Sequence, residues 1–228
     1  MSALVVVQQP TSEPVSVEVA KNFLRVTTDN DDALIGVLIT AARSVVETFT
    51  GRSIATKKYR QSLDSFPYFT DTMLSQQAMP PSYYSLPRYS TTMWNYSQMI
   101  KLFAPPLLSV ESIQYVAPDG STQTVDPTRY IVDSDSEPAR IFPGPAGGNW
   151  PACLYVPNAV QITFWSGYDT DPSSVGAPSG LVLAILMLVA NYYENREAAQ
   201  QGSFGEIPNH IQQILWAHKV DDHAPTRG

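Results

Sequence analysis

The sequence predicts an α+β protein in which helices from the two ends of the chain enclose an inserted antiparallel β-sheet or small barrel. Apolar residues recur at helical spacing before residue 53 and again after residue 179. Short runs of period two, separated by turn residues, fill the interval between them. The division that follows is a helical part over residues 1–53 and a β domain over residues 54–168 with a long aromatic loop at 67–98, completed by C-terminal helices over residues 169–228.

Taken in order, residues 14–24 place Val17, Ala20 and Leu24 on one helical face. In the next helix Asp29, Asp31 and Asp32 stand at the head, where the macrodipole favours acids, and they need no metal to explain them. Leu34, Leu38, Ala42, Val45, Val46 and Phe49 form its apolar stripe, and Gly51 ends it as a C′ residue. From Ile54 the period becomes two: Lys57, Tyr59, Gln61 and Leu63 alternate with Lys58, Arg60 and Ser62, as in a strand with one wet face. Further strands are expected over residues 99–103, 110–116, 122–125, 130–133, 140–142 and 160–165, with a turn at Pro118, Asp119 and Gly120. The deepest element is the helix over residues 180–197, whose unbroken apolar run covers residues 181–190. That run is half the ~20 residues that a membrane span needs, so the helix is expected to be covered by protein, with Ser179 able to cap its first turn. After Gly202 and Gly205, residues 208–220 read as a hinged terminal helix.

Residues 67–98 differ from the rest. They carry Tyr68, Tyr83, Tyr84, Tyr89, Tyr96 and Trp94 with almost no charge and no clear period. So long a stretch without secondary structure is unusual inside a compact domain unless it is functional, and Tyr and Trp are residues that interfaces favour. A loop folded back on its own sheet fits the composition equally well.

The net charge of -7 is unevenly placed. Basic and acidic residues balance at 7 and 7 over residues 1–66, then stand at 4 against 7 over residues 67–160 and 3 against 7 over residues 161–228. No basic stripe of the kind that grips nucleic acid is present beyond Lys57, Lys58 and Arg60, which disfavours tight DNA binding. The single cysteine, Cys153, has no partner for a disulfide, and MSALVVVQQP has neither a basic n-region nor a cleavage signal, so assembly in a reducing cytosol is expected. Catalytic signatures are thin. His210, His218 and His223 have spacings that fit neither i,i+3 nor i,i+4, and no nucleophile elbow, phosphate loop or dinucleotide fingerprint occurs. No enzyme activity and no cofactor are expected.

The pieces in their order resemble a known family. They are Asp29 and Asp32 followed by Ala33, Leu34 and Ile35; Ala41, Ala42 and Arg43; Val46, Glu47, Phe49, Thr50, Gly51 and Arg52; and Pro105, Pro106 and Leu107 before Ser109 and Val110. Arg129 before Tyr130, then Asn149, Trp150 and Pro151, then Val160, Ile162, Thr163, Phe164, Gly167 and Tyr168 continue the series, which Tyr192, Tyr193, Glu194, Asn195, Arg196 and Glu197 close. Over residues 14–220 this is similar to the head-tail connector (adaptor) proteins of tailed bacteriophages and gene transfer particles, which usually have a shorter connection where this chain has residues 67–98.

The resemblance implies a structural virion protein at the neck between head and tail, assembled in the host cytoplasm as a homo-oligomeric ring, a dodecamer in such proteins. Its partners would be the portal protein and a head-tail stopper or tail protein, with DNA passing through without sequence-specific binding and no membrane involved. On that reading the aromatic loop and a stripe of Ile211, Ile214, Leu215 and Trp216 are candidate partner interfaces, although the stripe would serve equally to pack the last helix on its own core. Asp133, Asp135 and Glu137, the densest acidic run in the sheet region, are candidate DNA-channel lining. The alternatives are a β-rich binding module with an aromatic ligand cleft, or a hydrolase using Asp and His of the last residues.

Overall fold

The computed structural model describes residues 2–67, 98–144, 148–168, 176–195 and 207–220. Four helices and eight strands are placed among them: β1 Ser2–Gln8, α1 Val17–Leu24, α2 Asp32–Thr50, β2 Lys57–Leu63, β3 Ile100–Leu102, β4 Leu107–Val116, β5 Thr122–Thr124, β6 Tyr130–Asp133, β7 Ala139–Pro143, β8 Val160–Ser166, α3 Ser179–Glu194 and α4 Asn209–Trp216. The α+β class and the order of elements match the sequence reading. One strand does not: residues 2–8, expected within the helical part, form β1 and pair antiparallel with β2.

Helical side chains from both ends of the chain meet in one cluster. Ile35, Ile39, Ala42 and Val46 of α2 face Leu181, Ala184, Ile185, Leu188 and Val189 of α3, with Ala20 of α1 and Ile211 and Leu215 of α4 closing it. Stretches as apolar as α2 and α3 form helices because Leu, Ile and Ala at 3.6-residue spacing give them a face to bury. Ser179 begins α3 but makes no side-chain cap; Pro178 occupies the capping position.

The strands form two antiparallel sheets, β1-β2-β8-β4-β5 and β3-β7-β6. Their inner faces share a second cluster, in which Ile113, Ile162 and Phe164 of the larger sheet meet Ile100, Leu102 and Ile141 of the smaller. Phe66 stacks on Trp150 at 4.9 Å, and the Trp150 indole donates to the Gln98 carbonyl at 2.8 Å. Trp150 thereby holds Phe66 and Gln98, on either side of residues 68–97, against one side chain.

Gly167 leaves β8 with φ of 131°, and a Cβ there would stand 2.6 Å from the Ala55 carbonyl oxygen. Only glycine lets β8 turn beside the segment that leads from α2 into β2, where Tyr168 bridges Ala55.

Ile185 is fully buried in the helical cluster, so Ile185→Ala should lower unfolding free energy by about 2–5 kcal/mol in urea melts. Val37→Ala on the exposed side of α2 should change it by less than about 0.5 kcal/mol. Equal effects at the two positions would mean that α2 and α3 do not share this core.

Candidate assembly surfaces and the buried charge network

Where α2 gives way to β2, four charged side chains meet. Glu47 accepts from Arg43 Nη1 at 2.8 Å, one turn earlier on α2, and from the Lys57 ammonium at the start of β2. Its other oxygen, Oε1, takes the backbone amides of Ile54 at 2.9 Å and Ala55 at 3.3 Å. Arg43 Nε donates at 2.6 Å to Glu13, which also accepts from the Thr40 hydroxyl at 3.0 Å. Two acids and two bases therefore cancel in a site where the side chains of Arg43, Glu47 and Lys57 are each no more than 10% exposed. Burial opposes the charge on Arg43, yet its bonds to Glu13 and the nearby Glu47 hold its pKa above the ordinary value. For Lys57 burial prevails and lowers its pKa despite the bond to Glu47.

A second fastening lies one turn away. Arg52 follows the left-handed Gly51 that ends α2. Its guanidinium grips both oxygens of Glu137 at 2.6 and 2.7 Å, and its Nε donates to the His218 carbonyl at 2.6 Å. At the head of α2, Tyr193 donates its hydroxyl to Asp31 at 2.5 Å, while Lys21 pairs with Asp29 at 2.6 Å and Asp32 at 2.7 Å. The three aspartates are thus used in joining α1, α2 and α3. No group of three or more His, Cys, Asp or Glu that could hold a metal occurs among the described residues.

The expected site residues are distributed unevenly. Tyr68, Tyr83, Tyr84, Tyr89, Trp94 and Tyr96 lie outside the described residues. Of the terminal stripe, Ile211 and Leu215 are buried in the helical core and Ile214 packs against it. Three of the four residues thus seat α4 on its own protein, and of the stripe Trp216 is exposed, at 58%. Trp216 meets Phe49 edge-on at 5.7 Å, and the Lys219 ammonium lies 4.3 Å from its ring centre.

The acidic run is largely neutralised. Asp133 accepts from Arg140 at 2.5 Å and from the Ser136 hydroxyl at 2.7 Å, and Glu137 is held by Arg52. Asp135 is exposed. Hydrogen bonds from Ser136 and Arg140 hold the Asp133 carboxyl below its ordinary pKa. The charge count could not show this, because Arg52 is 85 residues from Glu137. The Asp133–Arg140 pair was within reach, since the two residues face each other in the β6–β7 hairpin.

Removing one member of the buried network should be severe. Glu47→Ala leaves Lys57 without its carboxylate and should cost about 3–5 kcal/mol in unfolding free energy, part of which adding Lys57→Met should restore. At Glu137, the Arg52 hydrogen bonds hold the carboxyl below its ordinary value of 4.5, against the effect of partial burial. That stabilisation is present above the ordinary value and is lost as pH falls through the folded one. The stability gap between the parent chain and Glu137→Gln should therefore stay constant from about pH 6 to 8 and close below about pH 4.5; urea melts across that range with no closure would remove the pair from the stability of the fold.

Residues 14–77 match the phage gp6-like head-tail connector protein family. No curated protein matches. Among solved structures, a chain from the neck of an empty gene transfer agent particle, computed with C6 symmetry, aligns with a TM-score of 0.64 at 16% identity, covering 99% of this chain and 100% of that one. A chain from the neck of the native particle, computed with C12 symmetry, aligns with a TM-score of 0.61 at 18% identity, covering 99% and 100%. A chain of the native gene transfer agent virion aligns at 0.64 and 16%, covering 97% of each. The matched segment includes α1, α2, the Arg43–Glu47–Lys57 network and β2, and over it the chain is similar to head-tail connector proteins.

Proposed function

We propose that this chain is a structural component of a virion neck: a connector that forms a ring, joins a DNA-filled head to its tail and serves as a conduit for the genome. The observation that carries the reading is the pairing of connector-family sequence over residues 14–77 with a whole-length fold like that of chains in particle necks of C6 and C12 symmetry. The finer assignment is twelve copies, with the portal on one side and a stopper or tail protein on the other.

The chemistry of the surface fits a conduit. An acidic chain repels phosphates, and cations held in local pairs cannot release counterions to bind them. Lys21, Arg43, Arg52, Lys57, Lys58 and Arg140 all stand in ion pairs. Of the acids first assigned to the channel wall, Asp135 keeps that role most simply, because Asp133 and Glu137 are engaged in the fold. The division into a helical part, 1–53 with 169–228, and a β domain, 54–168, is retained with β1 transferred to the sheet. The aromatic loop remains the proposed contact with a neighbouring subunit or the next protein along the tail.

Mass measurement of the purified chain, alone and with the portal of its own virion, should give a portal-bound ring of fixed copy number. A chain that never associates with the portal would falsify the reading. Replacing residues 70–96 with a short Gly-Ser linker should leave the protein folded, since Phe66 and Gln98 are already held at Trp150 and closing a short loop costs little. Heads and tails should then accumulate unjoined; an unfolded product would instead place the loop in the protomer's own core.

A further inference from the structure

The two sheets end in four strand edges, and these are protected to very different degrees. β5, at one end of the larger sheet, is three residues long, Thr-Gln-Thr, and wholly exposed and polar. Short, polar edges are one way in which proteins prevent unwanted pairing. β3, at one end of the smaller sheet, has Ile100 and Leu102 buried. Its backbone is satisfied from outside: the Gln61 side-chain amide donates to the Lys101 carbonyl at 2.8 Å and its oxygen accepts from the Phe103 amide at 3.2 Å.

The other two edges lack such protection among the described residues. β1 is seven residues, Ser-Ala-Leu-Val-Val-Val-Gln, without charge or proline, and it pairs on one side only. Leu4 and Val6 turn to the sheet cluster while Val5 and Val7 stand 48% and 50% exposed. β6 pairs only with β7 and exposes both Ile131, at 50%, and its neighbour Val132, at 36%. Successive side chains of a strand point to opposite faces, so both faces of β6 are left partly uncovered.

We propose that the free edge of β1 in one copy of the chain pairs with the free edge of β6 in the next, and that this strand addition joins neighbouring subunits of the ring. The inference rests on the connector reading above. A ring that closes by rotation needs a heterologous contact between two different patches. β1 against β6 supplies one, whereas β1 against β1 would close a two-fold dimer and stop. The pairing extends over at most the four residues of β6 and gives main-chain hydrogen bonds, with the exposed valines beside one of Ile131 and Val132 and the face of Leu4 and Val6 beside the other. It buries no unpaired charge, because β1 has none and Asp133, the acid in β6, is already held by Arg140.

The test compares Val5→Lys and Ile131→Lys with the parent chain in particles purified from producing cells, reading copies of the chain per particle and ring images by electron microscopy. Lysine is a natural guard of sheet edges and both positions are exposed, so the melting temperature of Ile131→Lys should stay at the parent value, while that of Val5→Lys, which faces Arg60 across the β1–β2 pair, should fall only slightly. Each should reduce ring occupancy at least about tenfold. Amide exchange across residues 2–8 should also be slower in necks isolated from parent particles than in the free chain, by at least about tenfold. Parent rings that tolerate both lysines, or β1 amides that exchange equally fast in necks and in the free chain, overturn the strand pairing and leave the connector reading standing. Parent particles with no ring of this chain overturn both. Should a lysine lower the melting temperature, the exchange measurement on the unaltered chain decides.

Discussion

The Glu47 carboxylate is the constraint on which the architecture turns. It sits in the last turns of α2 and meets an arginine, a lysine and two backbone amides belonging to three consecutive parts of the chain. Transferring such groups out of water is expensive, and each is tolerated only while the others are in place. The chain therefore cannot leave α2 at an arbitrary angle. The amides of Ile54 and Ala55 have to point back at the helix, which sets the direction of β2 and, through β2, the orientation of the whole larger sheet. A hydrophobic joint of the same size could be as stable, but apolar contacts are non-directional and would leave that angle less well defined.

The ends of the chain then lock around this joint. Gly167 brings the exit of β8 to within contact of the Ala55 backbone, so the sheet leaves the helical part and returns to it at one place. Arg52 spans the same place by holding Glu137 from the sheet region and the His218 carbonyl beyond α4. The Val220 amide binds the Thr50 carbonyl at 2.9 Å, and Tyr193 binds Asp31 at the opposite end of α2. The helix α2 is consequently fixed at its head, near its tail and along its buried stripe. A joint held by several directed bonds is stiffer than either core alone, which on the connector reading suits a part placed between two other proteins.

Much of this was legible in the sequence wherever one face of an element is apolar and the other is not. The apolar run of α3 identifies an element with its buried side, and the period-two pattern identifies β2 as a strand. The stripe read along α2 identifies the helix but is turned from its inner face: Ala42 and Val46 are buried, whereas Leu34 is 37% exposed and Ile35 and Ile39 hold the core side. β1 was not legible, since Leu4, Val5, Val6 and Val7 are all apolar and show no alternation even though only alternate residues turn inward. The inward face of β2 reads Lys57, Tyr59 and Gln61, which looks like a wet face until Glu47, Ser53 and the β3 backbone are there to receive those groups. Stripes identify what is buried but not by whom, and so Ile211 and Leu215 suited an external partner as well as they suit the protein's own core. Acidic clustering was the least informative signal: a list of Asp and Glu along the chain contains no record of the arginines that fold back onto them.

That folding back bears on how a protein can surround DNA without holding it. A basic side chain free on a channel wall would bind phosphate and release counterions, giving each passing segment a reason to stop. Here Lys21 is taken up by Asp29 and Asp32, Lys58 by Glu111 at 2.7 Å and the Trp165 ring, and Arg140 by Asp133. Each such pair contributes little to stability where it is exposed to water and screened by salt. Its larger effect is on the field outside, because a cation beside its own carboxylate presents a short-range dipole rather than a charge. With a net charge of -7 spread over a surface whose cations are so often paired, the long-range field is negative and repels the polyanion at distances up to the Debye length, about 8 Å at physiological salt. On the connector reading, the same ion pairs that fix the fold also make the surface one along which DNA can slide.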